Sequence, residues 1–165
     1  MKQVLKENHQ MDHTKNVTQQ LAPVISAEAQ AFLASHDVAV LSTADKDGNV
    51  SGAAIYYFVG PGSKLYFLTS SSTAKARNIL IHKQVALTIF QEDTACTLQI
   101  NGIAEVETDE SIKNDAFIQL TQRRSHWHHG APPPALQQTD GAPVVIRVDI
   151  ISAIYHIYQL AKKPA

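Results

Sequence analysis

The stretch TSSSTAKARN, Thr69 to Asn78, sets a run of hydroxyl side chains directly ahead of Lys75 and Arg77. The apolar spacing Ala76, Ile79, Leu80 predicts a helix over about Thr73–Lys83. Both cations then fall in its opening turns, where the positive end of the backbone dipole disfavours each by roughly a few tenths of a kcal/mol. The first N–H groups of a helix have no partner within it and point outward, so such a corner suits an anion such as phosphate. Ser70, Ser71, Ser72 and Thr73 add hydroxyl donors, and an anion would offset the placement of Lys75 and Arg77. In the plainer alternative, Ser72 or Thr73 caps the helix and the cations lie in water at little cost. Spacing alone leaves both readings open. The corner is no Walker loop, because it has no glycine and no Gly-Lys-Ser/Thr.

A second stretch with chemical potential is SGAAIYYFV, which opens on Ser51, Gly52, Ala53 and Ala54. Small side chains let a flat ligand lie against the backbone, and Tyr56, Tyr57 and Phe58 supply stacking surface. The competing reading is a tightly packed sheet whose aromatics are core. SHWHH brings His126, His128 and His129 beside Trp127, but alternating histidines in a loop lack the geometry of a helical zinc pair and no carboxylate adjoins them. No metal site is expected, and the loop reads as mobile and polar, or as a lid with Trp127 stacking on a ligand. Cys96 lies inside an apolar run and reads as a buried thiol. No serine sits in a nucleophile-elbow pattern.

The elements that must position these residues are mostly strands. Residues 1–24 are polar and aperiodic and read as a flexible arm. Ser26 caps a helix over Ala27–His36 with the stripe Ala29, Phe32 and Leu33. Strands follow at Val38–Ala44 and Val50–Val59, joined by the hairpin signal DKDGN, and at Leu65–Thr69 after the turn GPGS. Beyond the hydroxyl corner come strands at Val85–Phe90 and Ala95–Val106, in which Gly102 predicts a bulge, a bend or a close backbone approach. Thr108 is expected to cap a helix with the stripe Ile112, Ala116 and Leu120, ended by Arg123 and Arg124. A Pro/His-rich loop spans 125–142, strand pattern returns at Val144–Ile151 and at Ile154–Tyr158, and 161–165 form a tail. One domain over 25–160 is expected: mainly β, an antiparallel sheet closed into a barrel with peripheral helices.

Bulk numbers narrow the function classes. With 44% hydrophobic and 18% charged residues and a net charge of −1, the 165-residue chain has a real core and no general pull toward nucleic acid or anionic membrane. A single cysteine excludes an internal disulfide. The amino terminus has no apolar core region for a secretory leader, and the longest apolar run, Ala53–Val59, is too short to span a bilayer. A cytoplasmic protein is the expectation.

Taken in order, Val38 to Ile79, QVALTIF (Gln84 to Phe90) and TLQINGIAEVET (Thr97 to Thr108) resemble the pyridoxamine 5'-phosphate oxidase-like family of FMN-binding split barrels. The resemblance implies a split barrel that holds FMN at a homodimer interface and acts as an oxidoreductase on a small substrate. By position, Ala53, Ala54, Ile55, Tyr56, Tyr57 and Phe58 would line the ring and ribityl chain, Leu68, Thr69 and Ser70 would touch the phosphate end, and Lys75 would be the phosphate cation. Thr97 falls where the oxidase proper carries a flavin-contacting glutamine. Ala53 and Ala74 stand where that enzyme has arginines, and AIYHIYQLAKKPA lacks its substrate signature. These departures argue against the pyridoxal-forming reaction. The same resemblance admits a deazaflavin in place of FMN, a flavin-binding protein without turnover, or a haem-binding relative with His82, His126, His128 or His156 as ligand.

Overall fold

A computed structural model describes residues 25–122 and 140–158. The expected arm, Arg123 and Arg124, most of the Pro/His-rich loop with His126, Trp127, His128 and His129, and the 161–165 tail lie outside the described residues.

Ser26 Oγ accepts the Ala29 N–H at 3.2 Å and opens α1 (Ala27–Ser35), whose buried Ala29, Phe32 and Leu33 face the sheet. Strand β1 (Val38–Ala44) turns through Asp45–Asn49 into β2 (Val50–Val59). Asp45 Oδ1 accepts the Asp47 and Asn49 N–H groups at 2.9 Å each, and Gly48 takes φ 85° at no cost. Strand β3 (Leu65–Ser70) leads into α2 (Ala74–Ile81), then come β4 (Gln84–Gln91), β5 (Cys96–Val106), α3 (Glu110–Gln122) and β6 (Pro143–Ile157).

The strands close into an antiparallel barrel in the order β1-β2-β3-β6-β5-β4. Inward residues of every strand meet in one core, with Leu65, Phe67, Leu98, Ile146 and Val148 fully buried. A smaller cluster, Phe58, Tyr66, Ala116, Leu120 and Val145, fixes α3 on the outside of β2, β3 and β6. The Phe58 and Tyr66 rings stack there at 5.2 Å.

Three expectations need correction. The two carboxy-terminal strands are one, β6, running past Ser152 with an extra residue opposite the Asn101/Gly102 step. A Cβ on Gly102 would stand 2.6 Å from Val148 Cγ1 and 2.9 Å from Asp149 O, so the close approach at this glycine is that of β6 itself. Asp109, not Thr108, caps α3: its Oδ1 accepts the Ser111 and Ile112 N–H groups at 2.9 and 3.1 Å. The Thr108 N–H is taken by the buried carboxylate of Glu107 at 2.8 Å. Leu80 is exposed; α2 docks through Ala76, Asn78 and Ile79, and Asn78 donates to Thr43 Oγ1 at 3.1 Å.

Candidate functional site

Strand β2 is ten residues long yet pairs with β3 only through Tyr57–Val59. Before that point its pairing is to β1 alone, so Gly52 to Tyr56 and the exit of β3 border an opening in the barrel wall. The Tyr57 N–H donates to Asp37 O at 2.9 Å, toward β1. The two-residue alternation of a strand therefore turns the peptide groups of Gly52 and Ala54 to the opposite, open edge. Ala54 and Tyr56 have side chains on the outer face, whereas Ile55 is buried in the core. Tyr57 and Phe58 are also packing residues: the Tyr57 hydroxyl donates to Leu33 O at 2.9 Å, and Phe58 lies beneath α3.

Leu68 is the first residue of β3 beyond its last pair with β2, and Thr69 and Ser70 follow, both buried. Thr73 caps α2 by accepting the Ala76 N–H at 3.3 Å, while its own hydroxyl donates to Ser70 O at 2.8 Å. Thr69 Oγ1 lies 3.1 Å from Thr73 Oγ1. The N–H groups of Ala74 and Lys75 have no acceptor among the described residues. Lys75 is half-buried, and loss of water around its ammonium lowers its pKa from the ordinary lysine value. No carboxylate pairs with it among the described residues. Arg77 instead folds back and donates to Ser72 O.

Ala53, Ala54 and Tyr56 of β2 and Leu68, Thr69 and Ser70 of β3 thus lie where the two strands no longer pair, and Lys75 stands in the first turn of α2, which follows β3. Thr97 is not with them. It lies on β5, paired with Phe90 of β4 and His156 of β6, and is separated from β2 by β1 and β4. Three strand spacings put it roughly 14 Å along the wall from Tyr56.

Two features escaped the sequence. Asp140 and Ala142, read there as the end of a loop, bond to Ser70, Ser71 and Ser72 across Gly141. Only the Asp-Gly pair signalled a turn. Arg147 is held by Glu105 at 2.8 Å, Asp149 at 3.0 Å and Glu107 at 3.4 Å, an ion-pair group without a local signature because Glu105 and Glu107 come from a segment some 40 residues away. A cavity of about 410 Å³ also opens beside β1, lined by Ser35 to Val40 with Thr88 and Phe90, and includes none of the expected site residues. Among the described residues no cluster of three or more histidine, cysteine or acidic side chains gathers for a metal, and no helix is long and apolar enough to cross a membrane.

Similarity to solved structures agrees with this architecture. General Stress Protein 26 from Bacillus anthracis is 19% identical, with 78% of this chain and 91% of that one covered and a TM-score of 0.58. A FAD-binding protein from Mesorhizobium loti is 19% identical over 79% and 94%, with a TM-score of 0.61. The haem storage protein HutZ from Vibrio cholerae is 17% identical over 79% and 92%, also at 0.61. At these identities the likeness is one of fold. No curated protein matches the chain. The family model described as pyridoxamine 5'-phosphate oxidase matches residues 25–156, from just before α1 to the penultimate residue of β6. With that match over most of its length, and with its barrel split beside a hydroxyl-lined helix start, the chain belongs to the pyridoxamine 5'-phosphate oxidase family.

Proposed function

We propose that this protein is an FMN-dependent oxidoreductase that works as a homodimer on a small substrate and does not catalyse pyridoxal formation. Lys75 carries the reading. Its half-buried ammonium has no carboxylate partner among the described residues, and the helix-start N–H groups of Ala74 and Lys75 have no acceptor there. A phosphate dianion answers all of these needs together. FMN would fit with its phosphate at Lys75 and the N–H groups of Ala74 and Lys75, next to Thr69 and Ser70, and its ring against the open edge, where the peptide groups of Gly52 and Ala54 offer hydrogen bonds. When bound, the flavin supplies the electron-transfer chemistry; the protein orients it and excludes water.

The separation of Thr97 from the β2 edge supports the dimer, since a second copy is what could bring a β5 strand to that edge. Val40 and Phe90, 49% and 60% exposed on the outer face, suit burial against such a copy. Ala53 and Ala74 in place of arginines support a substrate other than that of the oxidase proper.

The test is reconstitution with FMN, followed by anaerobic reduction with a reduced nicotinamide and sedimentation at micromolar concentration. A yellow dimer bleached by the reductant is expected. A yellow protein inert to reductants would be a flavin binder without turnover, and failure to take up FMN would sink the cofactor assignment.

A further inference from the structure

Just before β6, Asp140, Gly141 and Ala142 lie across the serines of the corner. The Ser71 N–H donates to Ala142 O at 2.9 Å, and the Ala142 N–H donates to Ser71 Oγ at 3.0 Å. Ser70 Oγ and Ser72 Oγ lie 2.5 and 2.8 Å from one acceptor, Asp140 O, and 2.9 Å from each other. Two hydroxyls have two protons, so only two of these three contacts are donated bonds. Both hydroxyls reach Asp140 O. The strap fits because its middle residue has no side chain: Gly141 has φ 80°, and a Cβ there would stand 2.6 Å from Ser70 Oγ and 2.8 Å from Ser72 N. A carbonyl oxygen on which hydroxyls converge at the edge of an anion corner takes the role a phosphate oxygen would take.

We propose that Asp140–Ala142 is a latch that competes with the ligand's phosphate for the Ser70 and Ser72 hydroxyls. The proposal rests on the phosphate reading of the corner given above. With the strap down, the corner offers Lys75 and the N–H groups of Ala74 and Lys75. With the strap lifted, two further hydroxyl protons turn to the anion, and Ser71 releases Ala142. Filling the corner and closing the strap are then mutually exclusive at these serines.

The experiment measures FMN affinity by flavin fluorescence for the full chain and for Gly141→Ala, and amide hydrogen exchange of the wild type with and without FMN. Gly141→Ala should lift the strap and tighten FMN binding roughly three- to tenfold, the effect of one or two recovered hydrogen bonds. Saturating FMN should speed exchange at the Ser71 and Ala142 amides. A folded Gly141→Ala protein with equal or weaker affinity, or amides slowed by FMN, overturns the latch. If Gly141→Ala does not fold, the wild-type exchange result decides. No FMN uptake by either protein overturns the cofactor reading and the latch together; uptake by both with equal affinity overturns the latch alone.

Discussion

Replacing Lys75 with methionine separates an anion-binding lysine from a merely structural one. Methionine keeps an apolar stem of similar length and removes the charge. Lys75 has no carboxylate partner among the described residues, and its burial costs the ammonium hydration. Its lowered pKa fixes the sign: the desolvation cost is present while the group is charged and is relieved as pH rises through the folded value. The ligand-free variant is therefore expected to be as stable as the wild type at neutral pH, or slightly more so. Binding should change in the opposite direction. A charge-assisted hydrogen bond contributes about 1.5–3 kcal/mol, so the Kd for FMN should rise about 10- to 150-fold. At FMN equal to 100 times the wild-type Kd, bound ligand stabilises the wild type by about 2.7 kcal/mol. After a 100-fold loss of affinity, the same concentration gives only about 0.4 kcal/mol. For a chain of this size the FMN-induced rise in Tm then shrinks from roughly 5–11 °C to about 1–2 °C. Differential scanning fluorimetry with and without FMN, beside a fluorescence titration, reads both quantities. An unchanged Kd, or a ligand-free variant that melts many degrees lower, would refute the phosphate role.

Two further predictions concern the frame around the corner. Gly102→Ala should cost about 1–3 kcal/mol in urea unfolding, because its Cβ would meet Val148 Cγ1 at 2.6 Å and the β6 backbone at 2.9 Å; a cost near zero would mean that the bulge yields freely. The Asp109 N–H, with help from the Thr108 N–H and Arg147, holds the Glu107 carboxyl below its ordinary value of 4.5 despite burial. A carboxyl with a lowered folded pKa contributes stability above the unfolded value and loses it as pH falls through the folded one. Glu107→Gln should thus destabilise the protein at pH 7 by about 1–3 kcal/mol and flatten the fall in stability below about pH 4.5; equal pH slopes in variant and wild type would remove Glu107 from that role.

Local rules made much of the fold readable. Hairpin chemistry at Asp45–Asn49 and the cap at Ser26 act within a few residues, and so does the strand–turn–helix run from Leu65 to Ile81. Where two local signals competed, the reading slipped. Thr108 and Asp109 are both good caps, and the choice fell to Asp109 because a third group, the Glu107 carboxylate, takes the Thr108 N–H. Leu80 fits the helical period, but α2 is eight residues long and meets the barrel through Ala76, Asn78 and Ile79.

The order of residues was enough to mark the strand–turn–helix corner at Thr69–Lys75, because a strand exit and the helix start after it are contiguous in the chain. It was enough as well for the β2 segment beside it, whose small residues are consecutive. Only the closed barrel decided which faces those residues present: Ala54 and Tyr56 outward, Ile55 and Tyr57 inward, and Thr97 on another part of the wall. The same holds for the strap on Ser70–Ser72, where Ser70 Oγ meets Asp140 O from 70 residues away. It holds too for the Arg147 group, whose partner Glu105 is 42 residues distant. Contacts between distant segments depend on strand register and barrel closure, and those follow from the packing of the whole core.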